Sequence, residues 1–279
     1  MTMPTTPATL PPTTRMTVPR LARLVTDADT DAVRAAVAGA PRLLAGTVER
    51  AGDDGWTPLH LAVAQGREDV VRVLVDAGAD LGARTGSGRT PLHVAVEHAP
   101  HLVGVLTGLG AAVDAPAAAH LDDADRLAAE LDGGAPLRDP AHGWDLLTVA
   151  AAGGAAGTVR LLLDRGADPD GGALAAAAGA CRPDLVRVLL GAGATVGRRD
   201  PDTGRTPLHE AVAAGPGGDA PEVVRLLLAA GADVDATTSD GASALDIGRV
   251  AAARHRRDAG QAGTRDALVD LLVAAGATD

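Results

Sequence analysis

Several residue types are missing from this chain of 279 residues: phenylalanine, tyrosine, lysine and asparagine. Trp56 and Trp144 are therefore its only aromatic side chains apart from histidine. One large globular core packed to normal density would be hard to fill with so few bulky residues. Thin layers of Ala, Leu and Val between stacked helices do not need them, so the composition favours a repetitive helical architecture.

The missing residue types also bear on origin and chemistry. Lys, Asn, Phe and Tyr share AT-rich codons, so their absence indicates a GC-rich genome, and we expect a bacterial source. Every basic residue is Arg. A phosphate-binding loop of the Walker type needs Lys and is therefore excluded.

Charge and cysteine content limit the partners and the compartment. The formal net charge of −11 disfavours nucleic acid as a partner, because phosphate contacts supply most of that affinity, whereas basic proteins stay possible. A single Cys rules out an internal disulfide framework and fits a reducing compartment. Residues 1–20 lack the apolar core of a secretory signal, and the most apolar stretch, Leu146–Val159, is too short to cross a bilayer. We therefore expect a soluble cytoplasmic protein without a membrane span.

One four-residue motif, Thr-Pro-Leu-His, occurs three times, at Thr57–His60, Thr90–His93 and Thr206–His209. The first two copies begin 33 residues apart. A second recurring mark is Gly-Ala after an apolar helical stripe, which predicts the end of a helix pair. It begins at eight positions: Gly39, Gly78, Gly110, Gly134, Gly166, Gly193, Gly231 and Gly276.

The best-formed unit, Gly55–Asp80, shows why this pattern predicts two helices. Thr57 can cap the first helix with its hydroxyl, and Pro58 suits the first helical position, where no N–H is needed. Gly66 permits a tight turn between the helices, and Gly78 can adopt the left-handed conformation that ends the second.

Over residues 19–279 the chain resembles the ankyrin repeat family, in which the Thr-Pro-Leu-His motif and the Gly-Ala helix ending recur with a period of 33 residues. The resemblance implies an all-α solenoid of about eight helix-turn-helix units with hairpin loops, some units being degenerate. The expected segments are a disordered Thr/Pro-rich tail (1–18), an N-terminal cap (19–50), two well-formed repeats (55–112), a short degenerate unit (113–136), further repeats (143–235) and a C-terminal cap repeat (240–279). An Arg-rich insertion is expected at Arg254–Gly263.

The resemblance further implies that a partner protein contacts the loop tips and the exposed side of the first helices. The corresponding positions are Asp53, Asp54, Trp56, Gln65, Ser87, Arg89, Glu97, His98, His142, Trp144, Asp202, Thr203, Arg205, Ser239 and Asp240. For the two Trp residues the sequence leaves two interpretations open: they pack against the next loop, or they anchor an interface.

Side chains that suggest chemistry have structural explanations as well. His60, His93 and His209 recur at equivalent positions and fit a role in the fold. His93, Glu97, His98 and His101 form the only local cluster with metal-ligand types at helical spacing, although a solvated helix end explains it too. Cys181 stands where the glycine between two helices normally stands, which favours a small filler over a nucleophile. Arg254, Arg256 and Arg257 form a basic cluster that is either solvated or a docking patch for an acidic partner.

The sequence thus predicts a monomeric, non-catalytic module that binds a protein partner, with no cofactor and no metal. Two alternatives remain open. One is an inhibitor or antidote that masks a basic surface of an enzyme, which the acidic balance supports. The other is a metal-dependent enzyme built on the cluster around His93 and Glu97.

Overall fold

The computed structural model describes residues 16–138, 143, 145–215, 217–259 and 267–278, without the side chains of 255–259. It divides into two compact units, residues 1–111 and residues 112–279. Most of the expected tail, residues 1–15, lies outside the described residues.

The described residues form eight pairs of α-helices, as the resemblance implied. In unit 1 they are α1 (Val18–Thr26), α2 (Thr30–Gly39), α3 (Pro58–Ala64), α4 (Glu68–Asp76), α5 (Pro91–His98) and α6 (Val103–Gly108). In unit 2 they are α7 (Ala115–His120), α8 (Ala124–Asp132), α9 (Leu146–Ala152), α10 (Ala156–Asp164), α11 (Ala173–Gly179), α12 (Pro183–Gly191), α13 (Pro207–Ala213), α14 (Ala220–Ala229), α15 (Ala244–Ala259) and α16 (Ala267–Ala274). Unit 1 also contains 3₁₀ helices at Pro41–Ala45 and Pro100–Leu102 and a hairpin of β1 (Val48–Arg50) and β2 (Asp53–Trp56).

Helix pairs stack in series inside each unit. In unit 1 the first helix of each pair contacts the next first helix, α1 with α3 and α3 with α5. In unit 2 the same holds from α7 through α9, α11 and α13 to α15, while α8, α10, α12, α14 and α16 form the second layer. The cores between layers are built of fully buried Leu, Val and Ala, with Leu59 and Leu74 in unit 1 and Leu147 and Leu189 in unit 2. These thin layers explain how the chain folds almost without aromatic residues.

Second helices end as the Gly-Ala pattern predicts, with one difference. Gly78, Gly110 and Gly231 have φ between 88° and 100°, and a side chain would be strained there. Gly39 is instead the last residue of α2, and Ala40 after it leaves the helical region, with φ −152° and ψ 69°. Pro41 follows directly, and a proline disfavours the helical region for the residue before it.

The expected insertion at Arg254–Gly263 begins inside a helix, because α15 continues to Ala259. At 16 residues, α15 is much longer than α13, which has seven. The rest of that insertion, residues 260–263, lies outside the described residues. Within the described part of the chain, no helix combines the length and apolar character needed to cross a membrane.

Candidate functional site

The loop before α3 and the loop before α5 are bonded to each other. The turn of the β1–β2 hairpin uses positive φ at Ala51 and Gly52. Asp53, at the start of β2, accepts hydrogen bonds from the backbone N–H and the hydroxyl of Ser87, both at 2.8 Å. The backbone adds a bond from Gly86 N–H to the carbonyl of Asp54 at 2.8 Å.

These bonds affect the acidity of Asp53. Partial burial raises its pKa, but the two bonds from Ser87 and further bonds from Thr85 and Trp56 outweigh that effect, so the pKa is lowered overall. The carboxylate is therefore the stabilised form, and it holds two neighbouring loops together.

Close approach of adjacent loops requires glycine at one position of the repeat. Gly55 has φ +74°, and a Cβ there would lie 3.0 Å from the backbone nitrogen of Gly86. Gly204 occupies the same place in unit 2, two residues before Thr206, with φ +68° and a Cβ position 2.8 Å from the backbone nitrogen of Ser239. Any larger residue would push the loops apart.

The loops of unit 2 are joined in related ways. Ser239 N–H donates to the carbonyl of Thr203 at 2.9 Å. Asp170 accepts from the N–H of Thr195 at 2.6 Å and from its hydroxyl at 3.0 Å, and these bonds lower the pKa of Asp170. The bonding pattern is that of Asp53 with Ser87, although the partners are 25 rather than 34 residues apart.

In the first copy of the Thr-Pro-Leu-His motif, the histidine links a helix start to the next loop. The backbone N–H of Thr57 donates to His60 Nδ1 at 3.2 Å, which places the ring proton on Nε2. His60 Nε2 then donates to the carbonyl of Arg89 at 3.1 Å, one repeat further on. Desolvation by burial lowers the pKa of His60 and of His209. His60 and His209 therefore serve the fold as neutral rings.

The structure brings three predicted contact residues together after the loop of the second repeat. Arg89 pairs with Glu97 at 3.5 Å, and Glu97 lies 3.6 Å from His98 Nε2. In unit 2 the residue equivalent to Arg89 is Arg205, which pairs with Glu210 at 3.0 Å. Each pair fixes charged groups beside a loop tip.

Other predicted contact residues have different surroundings. Trp56 is 4% exposed, donates from its indole N–H to Asp53 at 3.1 Å and lies under the guanidinium of Arg50. This burial favours the interpretation that Trp56 packs inside the fold. Gln65 is half-buried and bonds Thr26 at 3.3 Å.

At the remaining positions, exposure is the common feature. Asp54, Ser87, Asp202, Thr203, Ser239 and Asp240 are exposed. A hydrogen bond from Thr238 lowers the pKa of Asp240. His142 and Trp144 lie outside the described residues.

Two histidines of the cluster suggested for metal binding have partners outside the cluster. His93 Nδ1 accepts from the N–H of Thr90 at 3.3 Å, whereas His101 Nε2 lies 3.3 Å from the carbonyl of Gly66. Among the described residues, no group of three or more His, Cys, Asp or Glu side chains is arranged to hold a metal ion.

Cys181 has the environment that its position predicted. Its φ is +52°, in the left-handed region that glycine occupies at Gly66 and Gly154. Burial raises the pKa of its thiol, and a protonated thiol is a poor nucleophile.

Sequence reasoning missed a groove in unit 2, over α11. It has a volume of about 430 Å³ and is lined by Ala175, Ala176 and Gly179 with four arginines at its rim. The signal was present in the stretch Gly171–Gly179, where every residue but Leu174 is Gly or Ala. Leu174 itself is buried, so this helix offers only a shallow floor to solvent.

Comparison with known proteins agrees with this geometry. The family model described as ankyrin repeats matches residues 26–117 and 147–238, more than half of the chain. The human B-cell lymphoma 3 protein is 41% identical over 140 residues, which cover 43% of this chain and 31% of that protein. The NF-kappa-B inhibitor cactus of Drosophila melanogaster is 56% identical over 45 residues, 16% of this chain and 9% of its own. Rabankyrin-5 of Mus musculus is 45% identical over 53 residues, covering 19% and 4%. The matches span less than a third of each of these relatives.

Proposed function

This chain belongs to the ankyrin repeat family, and we propose that it is a non-catalytic module that binds a partner protein. The observation that carries the proposal is the fixing of neighbouring loops by Asp53 and Ser87. A surface held rigid before binding loses little conformational entropy when the partner arrives. His60, whose recurring motif might have suggested chemistry, is used inside the fold.

We place the main contact on unit 1, on a surface made of Asp53, Asp54, Ser87, Arg89 and Glu97. Its loops are the most complete, and the charged groups of Asp53, Arg89 and Glu97 are held by neighbours. Arg89 and Glu97 are 29% and 20% exposed in their side chains, so they are partly ordered and still reachable. Trp56 is left out because it is buried.

The test starts with affinity purification from the native cell and identification of the partner by mass spectrometry. The purified partner is then titrated against the chain carrying Asp54→Ala, Arg89→Ala and Glu97→Ala. We expect binding to weaken by at least about tenfold, as truncation of central charged contacts usually does, with unchanged helical circular dichroism.

A matched control is available in the same unit. Arg72 and Glu68 form an exposed ion pair at 2.8 Å on α4, away from the loops. Changing both to Ala removes the same kinds of charge and should leave binding within about twofold. Equal loss in control and test variants would remove the argument for the unit 1 surface.

A second candidate function is that of an inhibitor that covers a basic surface of an enzyme. The net charge of −11 favours it, and one relative is named as an inhibitor. Association with a basic surface should slow steeply as salt rises, because screening removes the steering. Association rates that do not change with salt would exclude this candidate.

Monomeric state and cytoplasmic location stay predictions from the sequence. Sedimentation equilibrium tests the first, and microscopy of the tagged chain in its native cell tests the second. A dimer in sedimentation would require a search for a self-association surface before any partner is assigned to unit 1.

A further inference from the structure

The groove over α11 is deep for two reasons: the loop before the helix is short, and the exposed side chains of the helix are small. The loop before α11 is short, running over residues 165–172 after the end of α10, whereas the loop before α13 covers residues 192–206. The helix itself exposes nothing larger than the methyl groups of Ala175 and Ala176. The neighbouring first helices carry Thr148 and Glu210 at the groove walls, so the hollow lies between two higher sides.

The rim of this groove is rich in positive charge. Arg138, Arg198, Arg199 and Arg205 all line it, in a chain whose net charge is −11. Arg205 pairs with Glu210, and Arg199 donates to the carbonyls of Gly204 and Thr237. The guanidinium groups of Arg138 and Arg198 make no hydrogen bond or ion pair with a described residue.

The acidic groups that line the groove are already satisfied. Asp170 accepts two bonds from Thr195, and Asp200 accepts from the N–H and the hydroxyl of Thr203 at 2.8 and 2.7 Å. Glu210 is held by Arg205. Among the described lining residues, Arg138 and Arg198 are therefore the guanidinium groups that make no hydrogen bond, although the charge of Arg198 also acts on Asp170.

We propose that this groove binds an extended acidic segment of a partner protein. The carboxylates of its Asp or Glu residues would pair with Arg138 and Arg198, since a guanidinium donates two parallel bonds to a carboxylate. Small side chains of the segment would lie on the floor of Ala175, Ala176 and Gly179. A folded protein surface would not enter a hollow whose floor is one seven-residue helix, whereas a single extended strand of chain would.

This proposal rests on the proposed function, because it needs the chain to bind proteins, but it concerns a different unit and a different ligand chemistry. The groove proposal and the proposed function can be disproved separately. If the partner binds and the groove variants do not affect it, the groove proposal is wrong while the module still binds protein. If no protein partner is captured by the unaltered chain, the module proposal itself is wrong.

The experiment selects short random peptides displayed on phage against the purified full chain. The most enriched peptide is then synthesised with a fluorescent label, and its affinity is measured by fluorescence anisotropy. A second peptide, in which each Asp and Glu is replaced by its amide, isolates the contribution of the carboxylates.

We expect selected peptides to be enriched in Asp and Glu. The double variant Arg138→Gln, Arg198→Gln should bind the labelled peptide at least about tenfold more weakly, and the amide peptide should show a similar loss with the unaltered chain. Ala176→Trp should also abolish binding by filling the floor. Arg225→Gln is the matched control, because Arg225 is exposed on α14 and does not line the groove.

Two results would overturn the proposal. One is a selection without excess acidic residues. The other is equal affinity of the labelled peptide for the unaltered chain and for the double variant. Circular dichroism and thermal melting of each variant show whether it is folded, and the double Arg variant keeps the test valid if Ala176→Trp does not fold.

Discussion

Asp53 accepts two hydrogen bonds of 2.8 Å from Ser87, a residue 34 positions further along the chain. Replacing it by Ala should lower the free energy of unfolding by about 1–2 kcal/mol, since Ser87 loses its acceptor. Asp54→Ala is the control, because the carbonyl that binds Gly86 is kept; it should cost less than about 0.5 kcal/mol. Urea unfolding measures both, and equal values would mean that the pairing of loops contributes nothing.

The Asp53 carboxylate should also make the free energy of unfolding depend on pH. Its folded pKa is lowered, so its contribution to stability is present above the unfolded pKa of about 3.9 and is lost as the pH falls through the folded pKa. The difference in stability between the unaltered chain and Asp53→Asn should therefore shrink between about pH 5 and pH 2. A difference that stays constant over this range would contradict the assignment.

Glycine between adjacent loops is the next feature to test. Gly204→Ala should destabilise the chain by at least about 2 kcal/mol, from left-handed strain and from contact with the Ser239 backbone. Gly197→Ala serves as control, since a Cβ there meets nothing within 4 Å. Thermal melting gives the comparison, and similar Tm values for both variants would show that the loops can move apart freely.

Buried histidines should make stability fall below neutral pH. Burial lowers the folded pKa of His60 and His209, and also that of His120, a half-buried residue at the end of α7, so protons bind the unfolded chain first. The free energy of unfolding should then decrease as the pH falls from about 7 to 5, with a slope of up to about 1.4 kcal/mol per pH unit for each histidine that stays neutral. His60→Gln should flatten this slope, as measured by urea unfolding at several pH values. An unchanged slope would mean that His60 is protonated in the fold.

Cys181 offers a stabilising change. Its φ of +52° costs an L-residue about 1–2 kcal/mol, and Gly adopts it without strain. Allowing for the flexibility that Gly adds to the unfolded chain, Cys181→Gly should raise the free energy of unfolding by about 0.5–1 kcal/mol. Cys181→Ser keeps the strained backbone and should bring no gain, so a more stable Ser variant would contradict the explanation.

Much of the fold could be predicted because it depends on local chemistry. Thr57 with Pro58 specifies a helix start wherever it occurs, and the left-handed Gly78 specifies a helix end. Gly39 shows the limit of pattern counting, since Pro41 two residues later changes the ending. The candidate site was less predictable, because the partners of Asp53 and Trp56 and the hollow over α11 depend on what the neighbouring repeat supplies. A sequence pattern gives each residue's place in its own repeat, but not the atoms that face it from the next.

The bond from His60 to the carbonyl of Arg89 has a consequence for how such a chain can change length. A cut between α4 and the loop that follows it would separate the His60 imidazole from its acceptor, the carbonyl of Arg89. A segment that runs from Thr57 to Arg89 contains both the His60 ring and its acceptor, so it can be copied or removed without leaving His60 unpaired. In this part of the chain, the segment that can be inserted or deleted as a whole is therefore set by the hydrogen bond from His60 to Arg89 rather than by the ends of a helix pair.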